Sequence, residues 1–221
     1  MLLAAGCQSH TAAHRAAKAK PAASPAAAPA LAGVVSAAAA GLPAGLAPGL
    51  YANFQTSAGN IVARLFPRRA PKTVAGFVAL ATGNRPWQDP ATGALNWQPL
   101  YDGLEFFRVV PGFIIQSGDP AETGSGSIGF NLPVETNRLR FNRAGRLSLA
   151  QVEGEPGSRA SQFFITLRPA PPLDRQHFII FGQVARGLAV ARKISELPTP
   201  PGSSRPHQPA VIHHLKIGRV G

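Results

Sequence analysis

Aromatic residues are absent from the first fifty positions of this chain, and this absence limits which part of it can fold. Residues 1–50 contain 20 alanines and 5 prolines, whereas all 12 Phe, both Trp and both Tyr lie in residues 51–221. A segment with so little bulky apolar surface cannot offset the entropy lost on ordering it. We therefore predict a disordered Ala/Pro-rich tether over residues 8–50, followed by one folded domain over residues 51–221.

Basic residues outnumber acidic ones by 22 to 10, which gives the chain a formal net charge of +12. The predicted domain holds 19 of the basic residues and all 10 acidic ones, so it carries +9 by itself. Such an excess invites a nucleic-acid interpretation. The basic residues are scattered, however, and they lack the interleaved aromatic residues that bind single strands. We interpret the excess as a solvated basic surface and expect no nucleic-acid partner.

The single cysteine, Cys7, follows a short apolar stretch (MLLAAG) at residues 1–6. One cysteine excludes an intrachain disulfide and a Cys-based zinc cage. Small residues are typical of a signal-peptidase site, and residues 3–7 (LAAGC) resemble the lipobox of bacterial lipoproteins. We interpret residues 1–7 as a partial signal peptide and Cys7 as the lipidated residue. This predicts a protein of the bacterial cell envelope that faces the periplasm and is anchored to the membrane by lipid.

The signal-like stretch departs from the usual pattern, because no basic residues precede it and its apolar part is short. Two readings therefore stay open. Either the start site lies inside a longer signal, or the match to the lipobox arises by chance.

Short turn-bounded strands and two helical segments follow the compositional boundary. Apolar residues at spacings of three and four after Pro71 predict a helix over residues 71–82, and residues 188–197 predict a second one. A glycine turn at Gly59 predicts a hairpin. We interpret residues 83–99 as a variable loop. The strands expected are Tyr51–Thr56, Asn60–Phe66, Glu105–Val110, Phe113–Gly118, Gly145–Ala150, Gln162–Leu167, Phe178–Val184 and Ala210–Arg219. This pattern predicts an antiparallel closed barrel.

Four separated blocks of the domain resemble one known family. They are residues 70–77 (APKTVAGF), residues 101–120 (YDGLEFFRVVPGFIIQSGDP), residues 145–150 (GRLSLA) with 161–165 (SQFFI), and residues 173–182 (LDRQHFIIFG). In order and spacing these blocks resemble the cyclophilins, which are peptidyl-prolyl cis-trans isomerases (rotamases).

The resemblance implies a mainly β fold, a closed eight-stranded antiparallel β-barrel capped by two α-helices, with the active site on its outer face. It implies an enzyme that isomerises X-Pro bonds in proline-containing polypeptides, here during the folding of exported proteins. We expect a monomer that uses no cofactor and no metal. In agreement with that, His213 and His214 are adjacent, so on a strand their side chains point to opposite faces.

The resemblance also implies a role for nine residues of the domain. Arg108 and Gln116 would be catalytic, and the apolar floor would hold the proline ring. That floor would consist of Phe113, Ile114, Phe163 and Leu173, whereas Ala150 and Gln151 would contact the substrate backbone and His177 would close the pocket edge.

Four positions depart from the family's usual pattern. Phe107 stands where His is frequent, Pro172 where eukaryotic members have Trp, Gln151 where Asn is usual, and Gly76 where Asn is usual. Phe107, Gln151 and Pro172 keep a second interpretation open: a catalytically weak module that holds Pro-containing segments as a chaperone or scaffold.

Overall fold

The computed structural model describes residues 32–133, 135–151, 158–176 and 178–221. Both predicted α-helices are present, as α1 (Pro71–Ala81) and α2 (Leu188–Ser195), and a 3-10 helix covers Pro171–Arg175. The strands are β1 (Val35–Ser36), β2 (Gly49–Thr56), β3 (Gly59–Leu65), β4 (Trp87–Gln88), β5 (Leu95–Asn96), β6 (Arg108–Val110), β7 (Ile114–Ser117), β8 (Asn131–Leu132), β9 (Arg146–Gln151), β10 (Ser158–Thr166), β11 (Ile180–Arg186) and β12 (Ile212–Val220). The mainly β class with two helices is therefore confirmed.

The main sheet of the described residues follows an open path rather than a closed ring. Its strand order is β1-β12-β2-β3-β11-β9-β10-β7-β6, with β8 paired to β10, and only the β1–β12 pair is parallel. The two sides of the sheet approach each other where Glu105 forms an isolated antiparallel bridge to Val211. Gly103, at a φ of 87°, turns the chain just before this point. The closed eight-stranded barrel is thus not shown.

Helix α1 covers the interior of the sheet with an aromatic side chain. The Phe77 ring is fully buried, and its centroid lies 5.0 Å from those of Tyr101 and Phe181. It also meets Phe163 edge-on at 6.1 Å, an arrangement that adds to the burial of apolar area. Burial raises the pKa of Tyr101, so its hydroxyl stays protonated and donates to the Ser161 carbonyl at 3.1 Å.

Gly76 explains one departure from the family pattern. A Cβ at this position would lie 2.8 Å from the side chain of Leu132 on β8. The missing side chain therefore lets β8 approach α1 closely, and a longer residue at position 76 would push Leu132 away.

Residues 32–50 differ from the prediction, because they pack on the domain. β1 pairs in parallel with the end of β12, at Val35–Gly218 and Ser36–Arg219. Asn53 donates from Nδ2 to the carbonyls of Ala40 and Gly41, at 3.0 and 3.1 Å. Backbone pairing and a buried side-chain amide thus order this segment without aromatic residues. Residues 8–31 lie outside the described residues.

Residues 83–99 also differ from the loop that the sequence predicts. β4 and β5 form a two-stranded antiparallel sheet. The Trp87 ring is largely buried in the main core, and its Nε1 donates to the Gln98 carbonyl at 3.1 Å. An aromatic anchor at the base therefore holds this short hairpin, which we call the 87–96 hairpin. No helix in the described ranges is long and apolar enough to cross a membrane.

A carboxylate from a distant loop caps the start of α1. Its N-cap residue, Ala70, offers no side-chain acceptor. Instead Glu135 accepts hydrogen bonds from the backbone amides of Lys72 and Thr73, at 3.1 and 2.9 Å, and from the Thr73 hydroxyl at 2.7 Å. These bonds satisfy amides that a helix terminus leaves without intrahelical partners, and the negative charge suits this end of the helix dipole.

Replacing Glu135 with Ala removes this cap. We expect the free energy of unfolding to fall by about 1 kcal/mol, measured by urea denaturation. Glu196→Ala is the matched control, because Glu196 lies at the C-terminal end of α2, where a negative charge is unfavourable. An equal loss of stability in both variants would contradict the capping role.

Candidate active site

The register of four neighbouring strands brings the predicted catalytic residues to one face. Arg108 on β6 pairs with Gln116 on β7, which pairs with Phe164 on β10, which pairs with Ser148 on β9. Directly paired residues in a sheet point to the same side. The side chains of Arg108 and Gln116 therefore lie next to each other, on the face that also carries Ile114.

A chain of side-chain hydrogen bonds fixes Arg108, the predicted catalytic arginine. Arg108 donates from Nη1 to Gln116 Oε1 at 3.2 Å, and Gln116 donates from Nε2 to Gln162 Oε1 at 3.2 Å. Gln162 is almost fully buried and donates to the Gly126 carbonyl at 3.4 Å. In both glutamines the amide oxygen accepts on the side of Arg108 and the amide nitrogen donates away from it. The acceptor that holds the guanidinium, Gln116 Oε1, is therefore uncharged.

Arg108 keeps its positive charge uncompensated within the described part of the chain, where it forms no ion pair with a carboxylate. A guanidinium is always charged and offers rigid donors. Arg108 also lines a depression of about 810 Å³, here called the Arg108 groove. The groove is lined by Phe107, Arg108, Gln116, residues 121–125, Ser204 and Arg205.

Two carboxylates neutralise the second arginine of the groove. Arg205 Nη2 lies 2.7 Å from Glu105 and 2.8 Å from Glu122. Partial burial, together with the nearby charge of Glu122, raises the pKa of Glu105 above its ordinary value, and Arg205 opposes that shift. The charge of Arg205 is thus balanced by its two ion pairs, whereas the charge of Arg108 has no carboxylate partner in the described ranges.

Asp119 organises the loop that forms one wall of the groove. Its buried carboxylate accepts from the backbone amides of Ala121, Thr123, Gly124 and Gly126, at distances of 2.6 to 3.1 Å. The loop therefore presents an ordered wall, and Gly124 lies close enough to the Phe107 ring that a Cβ there would be 3.3 Å from it.

A second apolar cluster lies on the same side of the sheet as Arg108. It consists of buried Ile114, Phe141, Phe164, Ala170 and Ile180, with half-buried Val110, Phe113, Leu139, Leu173 and Phe178 around them. The 3-10 helix positions Leu173 at its edge. Ile114 stands two residues from Gln116 on β7, so the cluster adjoins the polar site. Three of the four predicted floor residues, Phe113, Ile114 and Leu173, therefore come together.

Phe163, the fourth predicted floor residue, lies elsewhere. It is fully buried in the interior core, where its ring is 5.2 Å from that of Phe54. Successive residues on a strand point to opposite faces, so the next residue, Phe164, lies in the second apolar cluster instead. Its ring stacks on Phe141 at 5.9 Å and meets Phe178 edge-on at 5.1 Å. The structure therefore places Phe164, and not the predicted Phe163, in the cluster beside Arg108.

The remaining predicted residues fall at the edge of what the structure describes. Ala150 and Gln151 end β9, directly before residues 152–157, which lie outside the described ranges. The predictions for His177 and Cys7 also concern residues outside those ranges. In the described part of the chain, no group of three or more His, Cys, Asp or Glu side chains is placed to hold a metal ion.

Comparison with known proteins identifies the class that this fold and site define. The family model for cyclophilin type peptidyl-prolyl cis-trans isomerases matches residues 51–217. The chain belongs to this family.

Individual relatives agree with that assignment. The chain is 41% identical over 170 residues to peptidyl-prolyl cis-trans isomerase B of Streptomyces anulatus, an alignment that covers 76% of this chain and 95% of that protein. It is 40% identical to peptidyl-prolyl cis-trans isomerase A of Mycobacterium tuberculosis, over 75% of this chain and 91% of that one. The protein is a peptidyl-prolyl cis-trans isomerase.

Solved structures show the same fold. A cyclophilin type peptidyl-prolyl cis-trans isomerase of Cryptosporidium parvum, crystallised in the presence of the dipeptide Ala-Pro, superposes with a TM-score of 0.61 at 29% identity. The match covers 76% of this chain and 98% of the other.

Matched substitutions of the two adjacent phenylalanines separate the core from the floor. We expect Phe164→Leu to lower kcat/KM for a Pro-containing peptide by about tenfold or less, because a leucine covers less of the proline-binding floor. Phe163→Leu should lower the melting temperature but leave kcat/KM of the folded protein near the wild-type value, since this ring packs inside the sheet. Peptide kinetics and thermal unfolding of both variants test this.

The opposite pattern, in which Phe163→Leu lowers kcat/KM and Phe164→Leu does not, would restore the original assignment. Both variants must be measured below their unfolding transitions, so that lost activity reports the site and not the folded fraction.

Proposed function

We propose that Arg108 is the principal catalytic residue and that the adjoining apolar cluster holds the substrate's proline ring. The observation that carries this is the register β6–β7–β10, which sets a fixed cation directly beside an apolar floor. A proline-containing segment presents those two features, a compact apolar ring and an amide nitrogen next to it.

The reaction needs no nucleophile and no proton transfer. Rotation about an X-Pro bond is resisted by amide resonance, with a barrier of about 18–20 kcal/mol. When the amide twists, its nitrogen regains a lone pair and becomes a better hydrogen-bond acceptor. A donor that binds this nitrogen stabilises the twisted amide more than the planar one, and only such a difference accelerates the reaction.

Arg108 fits this role because Gln116 orients its guanidinium and no carboxylate in the described ranges neutralises it. We infer that it donates to the prolyl nitrogen, while Gln116 holds the neighbouring substrate backbone. Phe113, Phe164 and Leu173 anchor the ring, so that the flanking carbonyl does the rotating. The Cryptosporidium parvum relative, crystallised in the presence of Ala-Pro, supports a proline-containing ligand for this site.

A single charged hydrogen bond accounts for part of the acceleration. Such a bond contributes about 1.5–3 kcal/mol, which corresponds to about 10–150-fold in rate. Positioning of the ring and removal of water from the amide supply the remainder.

Removing the guanidinium tests the proposal. We expect Arg108→Ala to lower kcat/KM in a protease-coupled Pro-peptide assay by about 10–150-fold, with little change in thermal stability. Arg108→Lys should recover only part of the loss, because an ammonium lacks the rigid planar donors. Arg68→Ala, at an exposed arginine away from the groove, should leave the rate unchanged.

The same assay decides between the enzyme and a binding module. If wild type and Arg108→Ala have equal rates, both near the uncatalysed background, the catalytic role of Arg108 is refuted. Tight binding of a Pro-peptide with no turnover would then favour the chaperone or scaffold interpretation.

We further propose that the chain works as a monomer in the cell envelope, on exported polypeptides, and is anchored by a lipid on Cys7. The sequence LAAGC at residues 3–7 and the compositional break that follows it support this proposal.

For the fold, we propose that the Glu105–Val211 bridge closes the sheet into a barrel. Phe106 supports this seam by donating its amide to the Ala210 carbonyl at 2.9 Å.

Cys7→Ser removes the proposed acceptor of the lipid. We expect the variant to leave the membrane fraction for the soluble fraction of the expressing bacterium, while its isomerase activity stays the same. Unchanged membrane association would refute lipid anchoring at Cys7, and incorporation of a labelled fatty acid into wild type alone would support it.

A further inference from the structure

Three large apolar side chains of the described residues are exposed: Val35 at 38%, Leu95 at 70% and Trp97 at 62%. Leu95 and Trp97 stand two positions apart in and beside β5, so they point to the same side of the 87–96 hairpin. The indole N–H of Trp97 forms no hydrogen bond within the described ranges. Two neighbouring exposed side chains of this size, one of them a tryptophan with an unused N–H, mark a surface that suits a partner.

The hairpin that carries them is well ordered at its base and at its turn. Trp87 anchors it to the core, and the Asp89 carboxylate accepts from the amide of Ala91 at 2.8 Å in the turn. Asn96 accepts from the amide of Gln98 at 2.8 Å. Leu95 and Trp97 are therefore presented on a fixed support and need no rearrangement to make a contact.

The chain that precedes the described domain leaves it beside this hairpin. The Ala32 carbonyl accepts from Asn84 Nδ2 at 2.7 Å and from Thr82 Oγ1 at 3.2 Å. The residue between these two, Gly83, lies so close to the Trp97 carbonyl that a Cβ there would be 2.6 Å from it. The exit of the N-terminal segment and the exposed tryptophan thus share one region of the surface.

We propose that Leu95 and Trp97 dock into the headgroup region of the membrane to which the chain is anchored. The inference rests on the lipid anchor at Cys7 proposed above, because that anchor determines what this surface faces. Twenty-four residues separate Cys7 from Ala32, and even fully extended they reach at most about 80–86 Å. The surface that receives this segment therefore stays within about 80–86 Å of the anchored residue.

The chemistry of the surface favours a membrane over a second copy of the chain. A tryptophan with an apolar body and a free N–H is the side chain typical of the membrane–water interface. The net charge of the whole domain, +9, also favours association with a lipid surface that contains anionic headgroups. Asp89 is the acidic residue of the hairpin, and its carboxylate is occupied in the turn. The apolar contact consists of two side chains, which is little for a stable dimer.

The test uses the purified full-length chain carrying Cys7→Ser, so that any binding comes from the protein surface. Vesicles of equal parts phosphatidylcholine and phosphatidylglycerol are the probe. We expect weak cosedimentation, a blue shift of tryptophan emission, and quenching by brominated lipids, since Trp97 is exposed and Trp87 is buried. Leu95→Ser with Trp97→Ser should lower vesicle affinity by at least about tenfold. The conservative pair Leu95→Met with Trp97→Phe should keep the affinity within about threefold of the parent.

Isomerase activity is the folding control, because neither side chain lines the Arg108 groove. Unaltered vesicle affinity in the serine pair, or tryptophan emission that vesicles do not change, would overturn the proposal. Lipid-free self-association that requires Trp97 would overturn it in favour of a second copy.

The anchor and the docking surface fail separately. A wild-type chain that incorporates no labelled fatty acid refutes the lipid anchor. If the serine pair then still abolishes vesicle binding, the docking surface stands without the anchor. Conversely, a lipidated chain on vesicles whose Trp97 stays unquenched retains the anchor and refutes the docking surface.

Discussion

The antiparallel pairing of β6, β7 and β10 is the constraint on which the rest of the site depends. Each ladder fixes which side chains share a face, so a polar and an apolar group become neighbours without any loop having to position them. Arg108 and Gln116 lie on one side of this sheet, while Phe163 and Phe77 fill the other. The same backbone bonds therefore build the interior core and hold Arg108 and Gln116 beside the second apolar cluster.

The polar relay behind Arg108 works because every member is neutral. Gln116 and Gln162 orient the guanidinium without cancelling its charge, whereas Arg205, in the same groove, is neutralised by two carboxylates. A carboxylate partner for Arg108 would compete with the substrate for the same donors. The contrast between the two arginines shows how neighbours decide whether a positive charge is structural or available for catalysis.

Much of the fold follows from the sequence, and the errors have identifiable physical causes. Helical spacing located α1 and α2, and the sequence blocks located Arg108, Gln116, Phe113, Ile114 and Leu173 in a common site. The sequence did not reveal that Phe164, and not Phe163, faces the side of Arg108, because both residues are apolar and buried and only strand register distinguishes them. The tether was predicted to extend to residue 50 because that prediction used aromatic content. Aromatic content does not reveal backbone pairing to β12 or hydrogen bonds from the Asn53 amide. The Asp119 loop was missed because its order comes from one carboxylate bonding to amides of any residue type.

The parallel pairing of β1 with β12 protects the sheet from other chains. A strand at the end of an open path exposes unpaired N–H and C=O groups, which invite edge-to-edge association. Val35 and Ser36 pair with Gly218 and Arg219, near the end of β12, so the backbone groups of this edge face a strand of the same chain. The alanine-rich segment before the domain thus acts as a built-in guard against aggregation.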